Sequence, residues 1–188
     1  MEALHALTLG LFAATYLVVA VGVFRVFTMP QGVPRALWAV RAAVVTANVA
    51  VCAALAVSGP PGTGAAAAGL VLLTLSAALF AWCAVTTRRT RLSIAFSGDV
   101  PRHVQRDGPY AYVRHPFYTS YALSYVAGVV VTGEPWLLVP TALVLAVFHA
   151  AALHEERKFR ASDLAEEYAA YARTTGMYLP RPGEHFWS

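Results

Sequence analysis

The sequence predicts an all-α polytopic membrane protein with about five transmembrane helices and a short cytoplasmic helix near the C-terminus. Of the 188 residues 58% are hydrophobic and only 13% are charged, far from the roughly one-quarter charged residues of a soluble domain. The apolar residues gather into stretches close to the roughly 20 that a helix needs to cross a bilayer. The basic residues, threaded through those stretches, all fall on one side.

Residues 6–24 carry no charge, 36–57 are interrupted only by Arg41, and 65–87 are uncharged; 117–132 and 136–153 form a closing pair. The fourth stretch is short, so the last two also read as a tilted or partly inserted hairpin about Gly133-Glu134-Pro135. The first reads as a span and not as a cleaved leader, because it begins with Glu2 and lacks a basic head. Lys and Arg accumulate in cytoplasmic loops, and all 14 basic residues obey that rule in a five-span threading, whereas the outer loops 58–64 and 133–135 hold none. The N-terminus is then outside and the C-terminus in the cytoplasm, in a setting that matches a bacterial inner membrane. The net charge of +4 becomes a consequence of topology. It suits an anionic inner leaflet but not nucleic acid, since the basic residues are scattered among helix ends.

Between the spans, SGPPGTG at 58–64 is a tight outer turn, without the preceding strand and following Lys-Ser/Thr of a phosphate loop. Residues 88–107 read as an interfacial helix and a loop. Pro109 and Pro116 push the residues before them toward extended conformations, so 108–115 read as a loop and Pro116 as the first residue of a helix. Asp163 with Glu166 resembles a capping box and Gly176 a stop, which frames a short helix carrying Tyr168 and Tyr171 before an irregular tail, 177–188. The chain thus reads as one membrane domain over 1–188, with three spans in 1–87 and the interfacial segment, loop, hairpin and tail in 88–188. Cys52 and Cys83 lie inside spans with no CxxC and no neighbouring His, as small buried hydrophobes do. Trp38, Trp82, Trp136 and Trp187 sit where interfacial aromatics sit.

The chemistry concentrates in GPYAYVRHPFY at 108–118 and in the adjacent acids Glu155 and Glu156. Ionisable residues beside lipid mark function. A loop of amides running into a helix N-terminus beside Arg114 and His115 suits a carboxylate or phosphate. The glutamates suit an ammonium or ribose hydroxyls, and Tyr110, Tyr112, Tyr118 and Tyr121 offer flat faces for a base. S-adenosylmethionine has a carboxylate, an ammonium, a ribose and a purine, and its sulfonium is tolerated by aromatic faces. The plainer alternatives are that Arg114 snorkels to the interface and that the glutamates pair with Arg157 or Lys158. On the same footing His149 is a packed intramembrane residue, His103 a loop residue, His5 and His185 solvated, and Tyr168 and Tyr171 core packing. His154 opens no HExxH motif, because Lys158 stands four residues on, so no metal is expected.

GPYAYVRHPFY, the later HEE, and YAAY ahead of LPRP make residues 92–182 resemble the isoprenylcysteine carboxyl methyltransferase and phospholipid methyltransferase superfamily of integral membrane enzymes. The resemblance implies an S-adenosylmethionine pocket lined by Gly108, Tyr110, Arg114, His115, Pro116, Tyr118, Glu155 and Glu156, with Arg114, His115 and Glu156 as the catalytic candidates. Ser120 stands where relatives commonly have Gly, which implies looser packing there. Relatives methylate prenylated cysteine carboxylates, phosphatidylethanolamine and other lipophilic molecules, so the implied acceptor is lipophilic. Methyl transfer is an in-line displacement in which the protein positions both partners and excludes water. A carboxylate acceptor would be ionised already, whereas a phenol or amine would need a base, with His115 or a glutamate nearest. Two other readings stand beside this one: an NADPH-dependent membrane sterol or enone reductase, with Arg102, Arg106 and Arg114 for the 2'-phosphate, and a non-catalytic membrane assembly factor.

Overall fold

A computed structural model describes residues 10–12, 14–15, 27–28, 35–88, 92–93 and 100–181. Most of the first expected span, Trp187, His5 and His185 lie outside the described residues, as does most of the expected interfacial helix, of which Leu92–Ser93 is a strand. In chain order the elements are β1 (Phe27–Thr28), α1 (Arg35–Val57), α2 (Thr63–Thr87), β2 (Leu92–Ser93), a 3-10 turn at Gly108–Ala111, α3 (Pro116–Thr132), a second 3-10 turn at Pro135–Leu137, α4 (Leu138–Arg160) and α5 (Ala165–Thr174). Among the described residues the regular structure is helical apart from the two-residue parallel pairing of β1 with β2 and an isolated bridge between Val113 and Gly176.

Three of these helical segments, Leu37–Val57, Thr63–Thr87 and Pro135–Arg160, are long and apolar enough to cross a membrane. These are the second, third and fifth of the expected spans; most of the first lies outside the described residues. Helix α3 has only 17 residues, at the lower limit for a crossing. The helices begin and end close to the apolar stretches that define them, with one exception: α4 runs on from Leu153 to Arg160. Hydropathy marks where lipid contact ends, not where hydrogen bonding ends, and the added residues include good helix formers and the Glu156–Arg160 pair one turn apart.

Small residues bring α2 and α3 together, as they do where lipid supplies no hydrophobic drive between helices. Ala66 and Ala127 are wholly buried, and a side chain on Gly69 would begin 2.0 Å from Val131 Cγ2. Ser76 Oγ donates to the Ser120 carbonyl at 2.7 Å. Ser120 therefore does not loosen this contact: it is fully buried and its hydroxyl turns back onto the Phe117 carbonyl. Helix α1 completes the core through Ala47, Val51 and Ala54, joined by Phe12, Val144 and Phe148, and Tyr125 Oη donates to Asn48 Oδ1 at 2.8 Å. Cys83 is buried as expected, but Cys52 faces outward, because α1 turns that side away from its neighbours.

Gly133 ends α3 in the left-handed conformation, φ 65°, which glycine adopts without strain. The turn it opens meets the turn after α1, where Ser58 Oγ donates to Glu134 Oε1 at 3.1 Å. Both loops without basic residues thus share one end of the helices. The N-terminus of α3 and the C-termini of α2 and α4 share the other, with Arg88, Arg114, Arg157, Lys158 and Arg160. The expected capping box does not form: α5 starts after Leu164 with no side-chain cap. Ser162 Oγ instead accepts the Leu164 N–H at 3.2 Å, because α4 and α5 are joined by a tight turn.

Candidate active site

The segment read as an extended loop folds as a 3-10 turn. Gly108 enters it at φ 59°, and a side chain there would begin 2.5 Å from Thr86 Oγ1 and 3.1 Å from Trp82 Nε1 of α2. Glycine is required at this position for both conformation and space. Pro109 then starts the turn, where its fixed φ is tolerated, and its carbonyl accepts the N–H groups of Tyr112 and Val113. Proline's effect on the preceding residue is absorbed by a glycine, so the turn after it stays helical.

The chain next runs alongside the segment that follows α5. Arg114 N–H donates to Gly176 O at 2.8 Å and His115 N–H to Met177 O at 3.1 Å. Of the amides expected to cradle an anion, those of Arg114 and His115 are therefore occupied by protein carbonyls. Gly176 is not the stop of α5, which ends at Thr174 with Thr175 extended. It is there for space, since a Cβ would fall 1.9 Å from the Leu179 carbonyl oxygen.

Pro116 opens α3 at its first position, as expected. From here Arg114 and His115 reach the last turns of α4. Arg114 Nε and Nη2 lie 2.9 and 2.8 Å from Glu156 Oε1, and Nη1 donates to the Thr175 carbonyl at 2.6 Å. Arg160 Nη2 takes the other Glu156 oxygen at 2.8 Å. His115 Nε2 stands 3.3 Å from Glu156 Oε1 and Nδ1 3.7 Å from Glu155 Oε2. Tyr118 Oη donates to Glu155 Oε1 at 2.7 Å. Arg114 is not snorkelling: its side chain is 10% exposed.

Successive helix residues point about 100° apart, so the adjacent acids meet different surroundings. Glu156 is 3% exposed with both oxygens on guanidinium groups. Glu155 is 31% exposed, and its close contacts are a phenol and an imidazole. Glu156 thus pairs with Arg114 and Arg160.

Around this cluster Tyr110 and Tyr171 are buried, and Tyr171 Oη donates to the Tyr110 carbonyl at 2.6 Å. Tyr168 stacks on Phe159 with ring centroids 4.5 Å apart, so both helix tyrosines serve packing. Burial holds the hydroxyls of Tyr110, Tyr168 and Tyr171 above the usual phenol range, which keeps them protonated. Of the other tyrosines read as walls, Tyr121 packs into the aromatic core with Phe80 and Phe117. Tyr112 is exposed beside Trp82. His103 and Arg102 lie exposed on the preceding loop.

Two side chains in this region were not singled out for function by the sequence. Tyr178, in the supposed irregular tail, lies between two imidazoles, with its ring centroid 6.0 Å from that of His115 and 5.9 Å from that of His149. Its oxygen is 3.0 Å from His149 Nδ1. His149 is thus exposed and hydrogen-bonded where a packed residue was expected. Nothing local in the sequence announces either, because the return of 175–178 to the start of α3 is a long-range pairing.

The family model of phospholipid methyltransferases matches residues 64–167, more than half of the chain and all of the ion cluster's side chains. The chain belongs to that family. Neither a curated protein nor a solved structure gives a significant match. As a phospholipid methyltransferase family member with apolar helices long enough to cross a bilayer, the protein is an integral membrane protein of a methyltransferase family that acts on lipids. The matched region begins with α2 and ends within α5, so α1 and the Thr175–Tyr178 strap lie beyond it.

Proposed function

We propose that this family member is an S-adenosylmethionine-dependent methyltransferase that binds its donor from the cytoplasm at the Arg114, His115, Glu155 and Glu156 cluster and takes a lipophilic acceptor from the bilayer. The unequal state of the two glutamates carries the reading. Glu156 is neutralised by two guanidinium groups, whereas Glu155 keeps lone pairs and some exposure beside Tyr118. A carboxylate of that kind fits an ammonium or ribose hydroxyl, and the rings of Tyr118 and Tyr178 near His115 fit a sulfonium.

S-adenosylmethionine supplies an electrophilic methyl group. The chain's work is then placement and exclusion of water. Glu155 and Tyr118 hold the donor's cationic part. His115, with one nitrogen toward each carboxylate, fixes the distance between the acids. Arg114, expected among the catalytic residues, acts here by positioning, since it ties Glu156 to the strap after α5. Gly108, Tyr110 and Pro116 shape the turn that brings His115 into place.

The same reading keeps five spans, the N-terminus outside and a bacterial inner membrane; the gathering of basic residues at the site's end supports it. Isoprenylcysteine-type specificity remains within this proposal as one lipophilic acceptor class. Calorimetric titration of the purified full chain with S-adenosylhomocysteine tests the reading, and saturable one-to-one binding is expected. Folded protein that takes up no S-adenosylhomocysteine would end it.

A further inference from the structure

Between α3 and α4 runs a groove of about 310 Å³. Ala122, Leu123, Val126 and Leu145 make its apolar walls, and its other end is closed by Tyr118, Thr119, Phe148, His149 and Tyr178. Tyr118 belongs to both groove and ion cluster, so the two adjoin. None of the described residues lining the groove carries a formal charge unless His149 is protonated.

Most polar atoms at the closed end are already engaged. Tyr118 Oη donates to Glu155, and Thr119 Oγ1 reaches the carbonyls of His115 and Tyr178. The Tyr178–His149 pair differs. Its members hydrogen-bond each other at 3.0 Å, and each retains a further hydrogen-bonding position, one on the phenol oxygen and one on Nε2. Phe148 and Tyr118 stack beside them with centroids 5.5 Å apart. An apolar groove thus ends in aromatic faces and a neutral donor–acceptor pair.

Building on the donor site proposed above, we infer that the methyl acceptor is a phenol on an apolar chain, with its ring among Tyr118, Phe148 and Tyr178 and its hydroxyl on the Tyr178–His149 pair, which takes the phenolic proton. A carboxylate or phosphate in this groove would lack a cation and be costly to desolvate. A phenol enters neutral, with an ordinary pKa of about 10, within reach of a general base. His115 is less suited to that task because both its nitrogens face carboxylates. As the phenol oxygen bonds to the methyl carbon, the sulfur keeps the electron pair of the broken carbon–sulfur bond. The phenolic proton passes to Tyr178 Oη while the proton of Tyr178 moves to His149 Nδ1, which leaves an imidazolium to discharge to solvent.

The test uses the full chain in detergent with 4-tetradecylphenol, tetradecanoate and dioleoyl-phosphatidylethanolamine vesicles, each with isotopically labelled methyl donor. Binding of 4-tetradecylphenol without donor is measured alongside. Expected are phenol binding, label on the phenol as its methyl ether, and a fall in kcat of roughly 100-fold or more in H149Q and Y178F. In H149Q the S-adenosylhomocysteine affinity should be unchanged. Label on tetradecanoate or phosphatidylethanolamine but not on the phenol overturns the inference, as does phenol turnover indifferent to both substitutions. Protein that binds S-adenosylhomocysteine yet neither binds nor methylates the phenol removes this acceptor and leaves the donor site standing. Protein that fails to bind S-adenosylhomocysteine removes both.

Discussion

Each end of the α3–α4 hairpin holds a glutamate in a hydrogen-bonded setting, and the two settings are opposites. At the turn end, Glu134 accepts from the Ser58 hydroxyl at 3.1 Å and from the Trp136 indole at 3.1 Å. Its partners are neutral, and it closes a loop. At the other end Glu156 is buried against two arginines and a histidine, with Glu155 one residue away. Burying that much charge is expensive unless every member is paired. The comparison teaches that a glutamate tying down a turn needs only ordinary donors, whereas the opposite end assembles charge well beyond what closing a loop requires.

The sharpest way to break the contrast is R114M. It removes the buried cation from Glu156 and releases the strap at Thr175, so a loss of about 3–5 kcal/mol is expected, read by unfolding in detergent. R160M removes the exposed partner of the same acid and should cost about 0–1 kcal/mol. Equal effects would show that the cluster is not held from within.

E155Q should act on the ligand and not on the fold. Removing a charged hydrogen-bond acceptor is worth about 1.5–3 kcal/mol, so S-adenosylhomocysteine should bind roughly 10- to 100-fold more weakly at nearly unchanged unfolding temperature. Undiminished binding would move the donor away from Glu155. G108A places a side chain at positive φ and against Thr86. A stability loss of about 1–2 kcal/mol is expected from the conformation alone, and a neutral outcome would mean that the turn can re-form without its contact to α2.

Y171F deletes the bond to the Tyr110 carbonyl and should cost about 1 kcal/mol, visible as a small shift in unfolding. The smallest effect belongs to the far end: E134Q should stay within about 0.5 kcal/mol and leave ligand affinity untouched. A large effect of E134Q on binding would erase the distinction between the ends.

Much of this was legible in one dimension. Helices α1 to α3 stop within a few residues of their apolar stretches, because lipid-length runs and the Pro and Gly between them leave little choice. Arg114, His115, Glu155 and Glu156 stood out because charge is rare in this chain. The 3-10 turn at Gly108 escaped the reading, since the proline rule for preceding residues is relaxed for a left-handed glycine. So did the Ser162 turn ahead of α5 and the purpose of Gly176, each settled by how a few neighbouring residues fold back on themselves.

Taken alone, the order of residues determined the helical class, the places where helices begin, and which end would collect the charge, because these follow from hydropathy, breakers and the cost of charge in lipid. Only the tertiary structure decided that Glu156 is locked while Glu155 stays partly exposed beside Tyr118 and His115, and that a strap carrying Tyr178 returns to join His115 and His149. Those outcomes depend on the rotation of α4 and on pairing across some sixty residues; local pattern does not encode either, because each is set by how the packed helices leave their last polar groups to find partners.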